Sequence, residues 1–309
     1  MLFSIIITTY GRGSKIKRAV LSCLNQKYQD NYEIIVVDDN GRDTENQILT
    51  ENILKKYSNI KYIKLDKNMG ANFARNIGIT KAKGKYICLL DDDDEFMEEK
   101  LLELEKEIII SNPDLIYSNV IYVDEHTKKE RTKFKFELNR EKIKVEILKG
   151  NFIGSNSFVC LKKAKLMEVG MFNLDLKSCQ DWDMWIRIIF NGGKVQYCSK
   201  KLVKYYIDKT EKTRITNNYK KRLEGHLFIQ KETLKYLNSF SLKEKNEIIV
   251  SQNKLIGNIF YEERIFKKYR EYFKKGYSFY ECSWKDYLKY LFSYFNIKLD
   301  KSLLKRVMK

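Results

Sequence analysis

The feature that most constrains this chain is a repeated alternation. Short apolar, β-rich runs stop abruptly at polar or acidic residues, and stretches with helical spacing separate them. The runs are Leu2–Thr8, Glu33–Val37, Ile60–Leu65, Lys85–Leu90 and Leu115–Val123. The first is followed by Thr8-Thr9-Tyr10, the second by Asp38-Asp39-Asn40 and the fourth by Asp91-Asp92-Asp93-Asp94. Residues 14–27 carry Ile16, Ala19, Val20, Cys23 and Leu24 on one helical face. Thr44–Tyr57, Met69–Ala82 and Glu98–Ser111 also read as helices, and Asn112-Pro113 stops the last. Near-continuous apolar strands alternating with helices predict an α/β fold: a mostly parallel central sheet with helices on both faces.

Beyond residue 125 the pattern loosens. Lys128–Lys149 is charged with scattered apolar residues. Asn151–Leu161 reads as a strand, Lys163–Glu168 and Asp181–Phe190 as helices, and Lys194–Tyr206 as a strand pair. From about Asn217 the text changes to long helical patterns rich in lysine and aromatics. Residues 1–210 are therefore expected to form one domain, in two halves that divide at about 125. Residues 211–309 are expected to be a helical appendage.

Charge follows the same division. The chain has 59 Lys+Arg against 41 Asp+Glu, a net charge of +18. Residues 200–309 hold 27 Lys+Arg and 12 Asp+Glu, so the first two-thirds is nearly neutral. A basic surplus points to a polyanionic partner: nucleic acid, a phosphorylated substrate or an anionic membrane. With 43 % apolar residues the chain can build a sizeable core, and global disorder is not expected. The six cysteines, Cys23, Cys88, Cys160, Cys179, Cys198 and Cys282, show no Cys-x-x-Cys spacing. They read as small buried residues of a reducing compartment, and zinc is disfavoured. The N-terminus shows no basic region or cleavage site, so no signal peptide is expected. No run of 18 apolar residues occurs, so no membrane span is expected either. His126 and His226 lie in charged contexts and read as surface residues.

The acidic clusters carry the chemistry. In open α/β sheets, ligands bind outside the carboxyl ends of the strands. Consecutive carboxylates there repel one another. They suit a hard cation such as Mg²⁺ or Mn²⁺ that also holds substrate phosphates, or else a solvated turn with Asp94 capping the next helix. Arg75, on a helix of small and apolar residues, can pair with a carboxylate or bind a diphosphate. Asp181 and Asp183 open a helix after a Gly/Ser/Asn-rich segment, Gly150–Ser157. They are helix-start carboxylates or include a general base, with Trp182 or Trp185 as an apolar face for a sugar ring. A dinucleotide fingerprint and a P-loop are both missing.

Taken together these residues resemble a family 2 glycosyltransferase of the GT-A fold, of the bacterial cell-surface glycan type. The resemblance rests on Ser4–Tyr10, Glu33–Asp39, Gly70–Gly78, Ala82–Asp94 and Gln180–Trp185 in order, and spans residues 1 to about 207. It implies inverting transfer of a sugar from a nucleotide donor to a hydroxyl. By position, Thr8, Tyr10 and Asp39 would hold the base and ribose, usually of UDP, and Arg75 would support the diphosphate side. Asp93 would ligate the metal, Mn²⁺ or Mg²⁺. Asp91 would join it or touch the ribose, and Asp92 would touch the ribose or metal-bound water. Asp181 would be the catalytic base. Arg214, in Thr213–Thr216, is a candidate diphosphate contact, and Trp182 a candidate donor or acceptor contact.

The sequence departs from the family pattern at three places. Gln180 stands where a Glu is common, Gly11 where an Asn is common, and Asn40–Asp43 replaces an Asp-Gly-Ser-x-Asp run. Losing the Glu is expected to lower like-charge repulsion and keep Asp181 ionised, or else to mark a different acceptor. Arg42 either contacts phosphate or lies in solvent.

Nine aromatics crowd Tyr277–Phe295, interleaved with Lys285 and Lys289. This segment reads as an interfacial helix on an anionic membrane or as a packed subdomain. The first option fits a lipid-diphosphate-linked or glycan acceptor and a cytoplasmic enzyme peripheral to the membrane. Two other classes stay open: a sugar nucleotidyltransferase on a similar sheet, and a basic nucleic-acid-binding protein. The first lacks its Gly-rich loop. The second leaves the acidic strand ends unexplained, so no nucleic-acid partner is expected.

Overall fold

Strand β1 (Phe3–Thr9) is buried along almost its whole length, and its alternate side chains serve two different layers. Phe3, Ile5 and Ile7 join one core cluster with Ile34 and Val36 of β2 (Glu33–Asp38) and with Cys88 and Leu90 of β4 (Tyr86–Asp91). That cluster is closed by Ile16, Val20 and Cys23 of α1 (Ile16–Leu24) and by Leu101 and Leu104 of α4 (Lys100–Ser111). Ile6 faces the opposite way, towards α3 (Ala71–Lys81). There Gly78 packs so closely that an added Cβ would lie 2.5 Å from Ile6 Cγ2. The sheet is thus covered on both faces, as continuous apolar strands require. Each such side chain contributes about 1.5–3 kcal/mol by leaving water.

In this computed structural model, residues 1–133, 139–208, 210, 217–276 and 283–299 are described. Between β2 and β4 lie α2 (Glu45–Leu54), capped by the Thr44 hydroxyl, and β3 (Ile60–Lys64). A two-residue β5 (Glu95–Phe96) follows the acidic run. Helix α4 ends at Asn112 in the left-handed conformation (φ 42°), with Pro113 next. Then come β6 (Leu115–Asp124), β7 (Glu130–Lys133), α5 (Ile143–Lys149), β8 (Val159–Lys162), α6 (Lys163–Glu168), α7 (Gln180–Phe190) and β9 (Val195–Ile207). The sheet order is β3-β2-β1-β4-β8-β6-β9-β5, with β7 paired to β6. Strands β3, β2, β1 and β4 are mutually parallel, and β8 runs antiparallel between β4 and β6.

Two expectations need correction, and one stretch left unassigned contains a strand. Asn151–Leu161 is mostly not a strand. A 3₁₀ turn over Asn156–Phe158 precedes the short β8, and Gly154 at φ +90° turns the chain before it. Lys194–Tyr206 is one strand, β9, and not a pair. It stays beside β6 through register shifts around Ser118 and Asn119, where Asn119 Nδ2 donates to Ser199 O at 2.7 Å. The charged stretch after 128 contains β7, which forms a hairpin on β6.

The chain divides into two compact units. The sheet unit comprises residues 1–144, 152–176 and 180–210. The helical unit comprises 145–151, 177–179 and 211–309, so two short segments from the middle of the chain belong with the C-terminal helices. The described helices of its C-terminal part are α8 (Tyr219–Leu234), α9 (Leu242–Glu262), α10 (Phe266–Gly276) and α11 (Trp284–Ser293). Their core is aromatic: Ile256, Phe260 and Tyr261 of α9 meet Phe266, Tyr269 and Phe273 of α10. Helix α9 opens with a full capping box between Ser241 and Glu244. His226 on α8 is not the surface residue expected. It is half-buried, and burial together with Arg222 lowers its pKa to about 4.

Candidate active site

Parallel strands deliver their carboxyl ends to one edge, and the register fixes which residues meet there. Thr8 pairs with Asp91 of β4 and with Val37 of β2, and Thr9 pairs with Asp38. Thr8 is half-buried, while Tyr10 just beyond it is 58 % exposed.

The two aspartates after β2 do different jobs. Asp38 is structural: it accepts from Asn40 N (2.9 Å), Asn40 Nδ2 (2.8 Å) and Tyr62 Oη (2.6 Å). Asp39 accepts from Met69 N (2.6 Å), Gly70 N (2.8 Å) and Asn68 Nδ2 (3.1 Å). It thereby ties β2 to the N-terminus of α3. Burial raises its pKa, and the Met69 and Gly70 amides oppose the rise.

Helix α3 carries Arg75, whose guanidinium is buried over the Phe172 ring (5.5 Å) and bonds Asp91 Oδ1 at 2.9 Å. Asn72, one turn earlier, pins the helix by donating to Asn173 O (2.6 Å) and Leu176 O (2.9 Å).

The acidic run is not the solvated turn weighed above, and Asp94 does not cap α4. Asp92, Asp93 and Asp94 are all buried, and each is compensated differently. Asp94 Oδ2 accepts from Ser157 Oγ (2.6 Å) and its Oδ1 from Tyr206 N (3.1 Å). Ser157 Oγ also accepts the Asp91 amide at 3.1 Å, and Ser155 Oγ donates to Asp91 Oδ2 at 3.4 Å. Arg12 Nη1 lies 3.0 Å from both Asp92 Oδ1 and Asp93 Oδ2. Arg18 Nη2 donates to the Asp93 carbonyl. Its guanidinium sits 3.5 Å over the Tyr206 ring and 3.2 Å from Glu125. Beneath the turn, Lys100 is fully buried and donates to Ser157 O at 3.2 Å.

This compensation is incomplete. Burial, with Asp93 adding, pushes Asp92 up to about 7 against the pull of Arg12. Burial and its acidic neighbours likewise raise Asp94. Asp92 Oδ2 is buried without a well-formed hydrogen bond. Among the described residues no three potential ligands converge on one point. The buried Asp92 Oδ2 is the one observation here compatible with a hard cation of the kind that takes only one or two protein carboxylates.

Asp181, half-buried on α7, accepts from Trp182 N at 2.7 Å. Burial raises its pKa to about 6. Trp182 N–H and Arg75 pull the value down, and Asp91 pushes it up. Asp181 therefore lies in the field of the Arg75–Asp91 pair. Asp183 is not part of that constellation: it is salt-bridged to Arg187 at 2.8 Å. Trp182 is 3 % exposed and offers no open ring face, so the expected sugar-stacking surface is absent. Trp185 is core, with its indole N–H on Gly154 O at 3.0 Å. Arg42 lies in solvent on Asp66. Arg214 and its segment 213–216 lie outside the described residues.

The sequence pattern does not single out Arg12, Arg18, Lys100, Ser155, Ser157 or Tyr206 individually. The Gly/Ser/Asn-rich stretch before β8 was the one available signal, and it pointed to the two serines.

Comparisons with known proteins identify the family and the fold. The family model described as Glycosyl transferase family 2 matches residues 4–170. An uncharacterized glycosyltransferase of Methanocaldococcus jannaschii is 30 % identical over 240 residues, 76 % of this chain and 78 % of that one. The poly(ribitol-phosphate) beta-N-acetylglucosaminyltransferase TarP of Staphylococcus aureus is 28 % identical, over 74 % of this chain and 67 % of its own. Among solved structures, S. aureus TarS 1-349 in complex with UDP-GlcNAc superposes with a TM-score of 0.60 at 18 % identity, covering 95 % of this chain and 90 % of that one. The fold is the GT-A fold. With the family model spanning more than half of its residues, the chain belongs to glycosyl transferase family 2 and is a glycosyltransferase.

Proposed function

We propose that this enzyme moves a sugar from a nucleotide-sugar donor, UDP-linked, to a hydroxyl of a glycan or lipid-diphosphate-linked saccharide, with metal dependence and inversion. The observation that carries the reading is the 2.9 Å Arg75–Asp91 ion pair at the carboxyl edge of the parallel strands, with Asp92, Asp93 and Asp94 buried directly after it. Thr8, Tyr10 and Asp39 take the base and ribose, Asp91 and Asp92 the ribose side, and Arg75 the diphosphate side. Asp93 and Asp91 would hold Mn²⁺ or Mg²⁺, which supplies neutralisation of charge building on the nucleotide-diphosphate leaving group.

Asp181 supplies what an acceptor hydroxyl lacks. Such a hydroxyl is a weak nucleophile near neutral pH, and a positioned carboxylate takes its proton as the new bond forms. Attack from the face opposite the departing diphosphate inverts the anomeric carbon. The acceptor class is supported by two relatives: TarP, and a Campylobacter jejuni GalNAc(5)-diNAcBac-PP-undecaprenol beta-1,3-glucosyltransferase, 29 % identical over 187 residues. Free thiols, four of the five described being buried, fit work in a reducing cytoplasm.

The test is a screen of UDP-sugars with Mn²⁺, reading UDP release and the anomeric configuration of the product by NMR. Release from at least one donor, with an inverted product, is expected. Absence of release from every donor would overturn the reading, and a retained configuration would remove Asp181 from the base role.

A further inference from the structure

Helix α11 is amphipathic, and it is docked with its apolar side outward. At about 100° per residue, Trp284, Tyr287 and Leu291 fall on one stripe, which Tyr294 and Phe295 continue past the helix end. These five are exposed, from 39 % for Leu291 to 75 % for Phe295. The opposite side is polar and buried. Asp286 lies inward, 3.0 Å from Lys254 Nζ of α9. Ser293 is fully buried, and its carbonyl accepts from Arg270 Nη1 of α10 at 2.6 Å. The Tyr290 ring stacks on Phe273 of α10 at 4.2 Å and completes the grip. Folding normally sends such a stripe into the core. Here ion pairs and hydrogen bonds hold it out, so the stripe is matched to something outside the helical unit.

We infer that the outward stripe of α11 seats on an anionic bilayer surface. Residues 211–309 hold 23 Lys+Arg against 11 Asp+Glu, so a negatively charged surface is attracted. A second copy of the same chain brings the same positive field and is opposed. The stripe's own chemistry points the same way. Trp and Tyr have apolar bodies with polar tips and settle at a headgroup boundary, while Leu291 and Phe295 need an apolar medium beyond it. Lys285 Nζ, 5.5 Å from the Trp284 ring, stands at the edge of the stripe where a lipid phosphate would lie. A nucleic-acid strand would use the aromatics for stacking but would leave Leu291 without a partner. No described helix is long and apolar enough to cross a membrane, so the contact is peripheral. This inference does not depend on the donor or on the metal.

The test is flotation of the full chain with vesicles of phosphatidylcholine, with and without three parts in ten of phosphatidylglycerol. The wild type is expected to float with the anionic vesicles, weakly with the neutral ones, and less as salt rises. The triple variant Trp284→Ser, Tyr287→Ser, Leu291→Ser is expected to lose about tenfold or more in vesicle affinity, while far-UV circular dichroism and UDP-sugar turnover stay at wild-type values. Failure of the wild type to float at millimolar anionic lipid would overturn the inference. So would unchanged flotation of the triple variant. A dimer by sedimentation equilibrium that the variant abolishes, or tight oligonucleotide binding that it abolishes, would overturn it in favour of those partners. If the triple variant is misfolded, the single change Lys285→Glu provides the same comparison.

Discussion

In the sheet unit, three consecutive carboxylates, Asp92–Asp94, are buried at the end of a parallel strand. In the helical unit, Trp284, Tyr287 and Leu291 are turned to solvent while Asp286 and Ser293 are turned in. The two regions break the inside–outside rule in opposite directions, and both exceptions are held in place at some cost. Arg12, Arg18, Ser157 and the Tyr206 amide restrain the acidic turn, and Lys254 and Arg270 restrain α11. Charge kept inside a low-dielectric pocket acts strongly on a small ligand. Apolar surface kept outside acts on a large one. The first fits the proposed chemistry on a diphosphate, the second the proposed seat on a bilayer.

The sharpest way to break this comparison is to remove an inward charge. Asp181→Asn is expected to lower kcat by about 10²–10⁴ while UDP affinity stays near wild type; equal loss of both would show that Asp181 only shapes the pocket. Its pH dependence follows from its raised pKa. A base must be ionised to accept a proton, so turnover should climb through pH about 6 and level off above it. A profile flat between pH 5 and 7.5 would contradict the assignment.

The next effect comes from the restraints. Arg18 touches the Asp93 carbonyl, Glu125 and Tyr206, and makes no contact with the Asp91–Asp94 carboxylates themselves. Arg18→Met is expected to raise the donor KM about tenfold with a smaller change in kcat, and Arg18→Lys to recover part of it. A loss confined to kcat would place Arg18 in the chemistry.

The smallest effect belongs to the outward stripe. Leu291→Ser should change folding stability by no more than about 0.5 kcal/mol, measured by urea unfolding. A loss of several times that would mean that the residue packs against protein and that the comparison fails.

Much of the sheet was legible in the sequence because β1, β2 and β4 are buried on both faces and so read as unbroken apolar runs. Their acidic ends were legible because carboxylates there have no packing reason to exist. Other parts left no pattern. Among the described residues strand β7 pairs with β6 alone, and such edge positions tolerate the charges of Glu130–Lys133. Strand β9 looked like two because its register shift breaks the alternation of side chains. The arginines that hold the acidic turn reach it across 75 and 80 residues, a separation that no local period encodes. In α11 the aromatics and lysines stood out in the sequence, but composition is the same whether the apolar side faces in or out. The inward Asp286 and its partner on α9 decide which.

The central claim is that the buried acidic turn is a cation-assisted diphosphate site. Calorimetric titration of UDP with and without Mn²⁺, into the wild type and into Asp93→Ala, tests it most directly. The account predicts binding to the wild type with Mn²⁺ that weakens about tenfold or more when the metal is withheld or Asp93 is replaced. Binding of UDP that ignores both Mn²⁺ and Asp93, or no binding under any of these conditions, would contradict it.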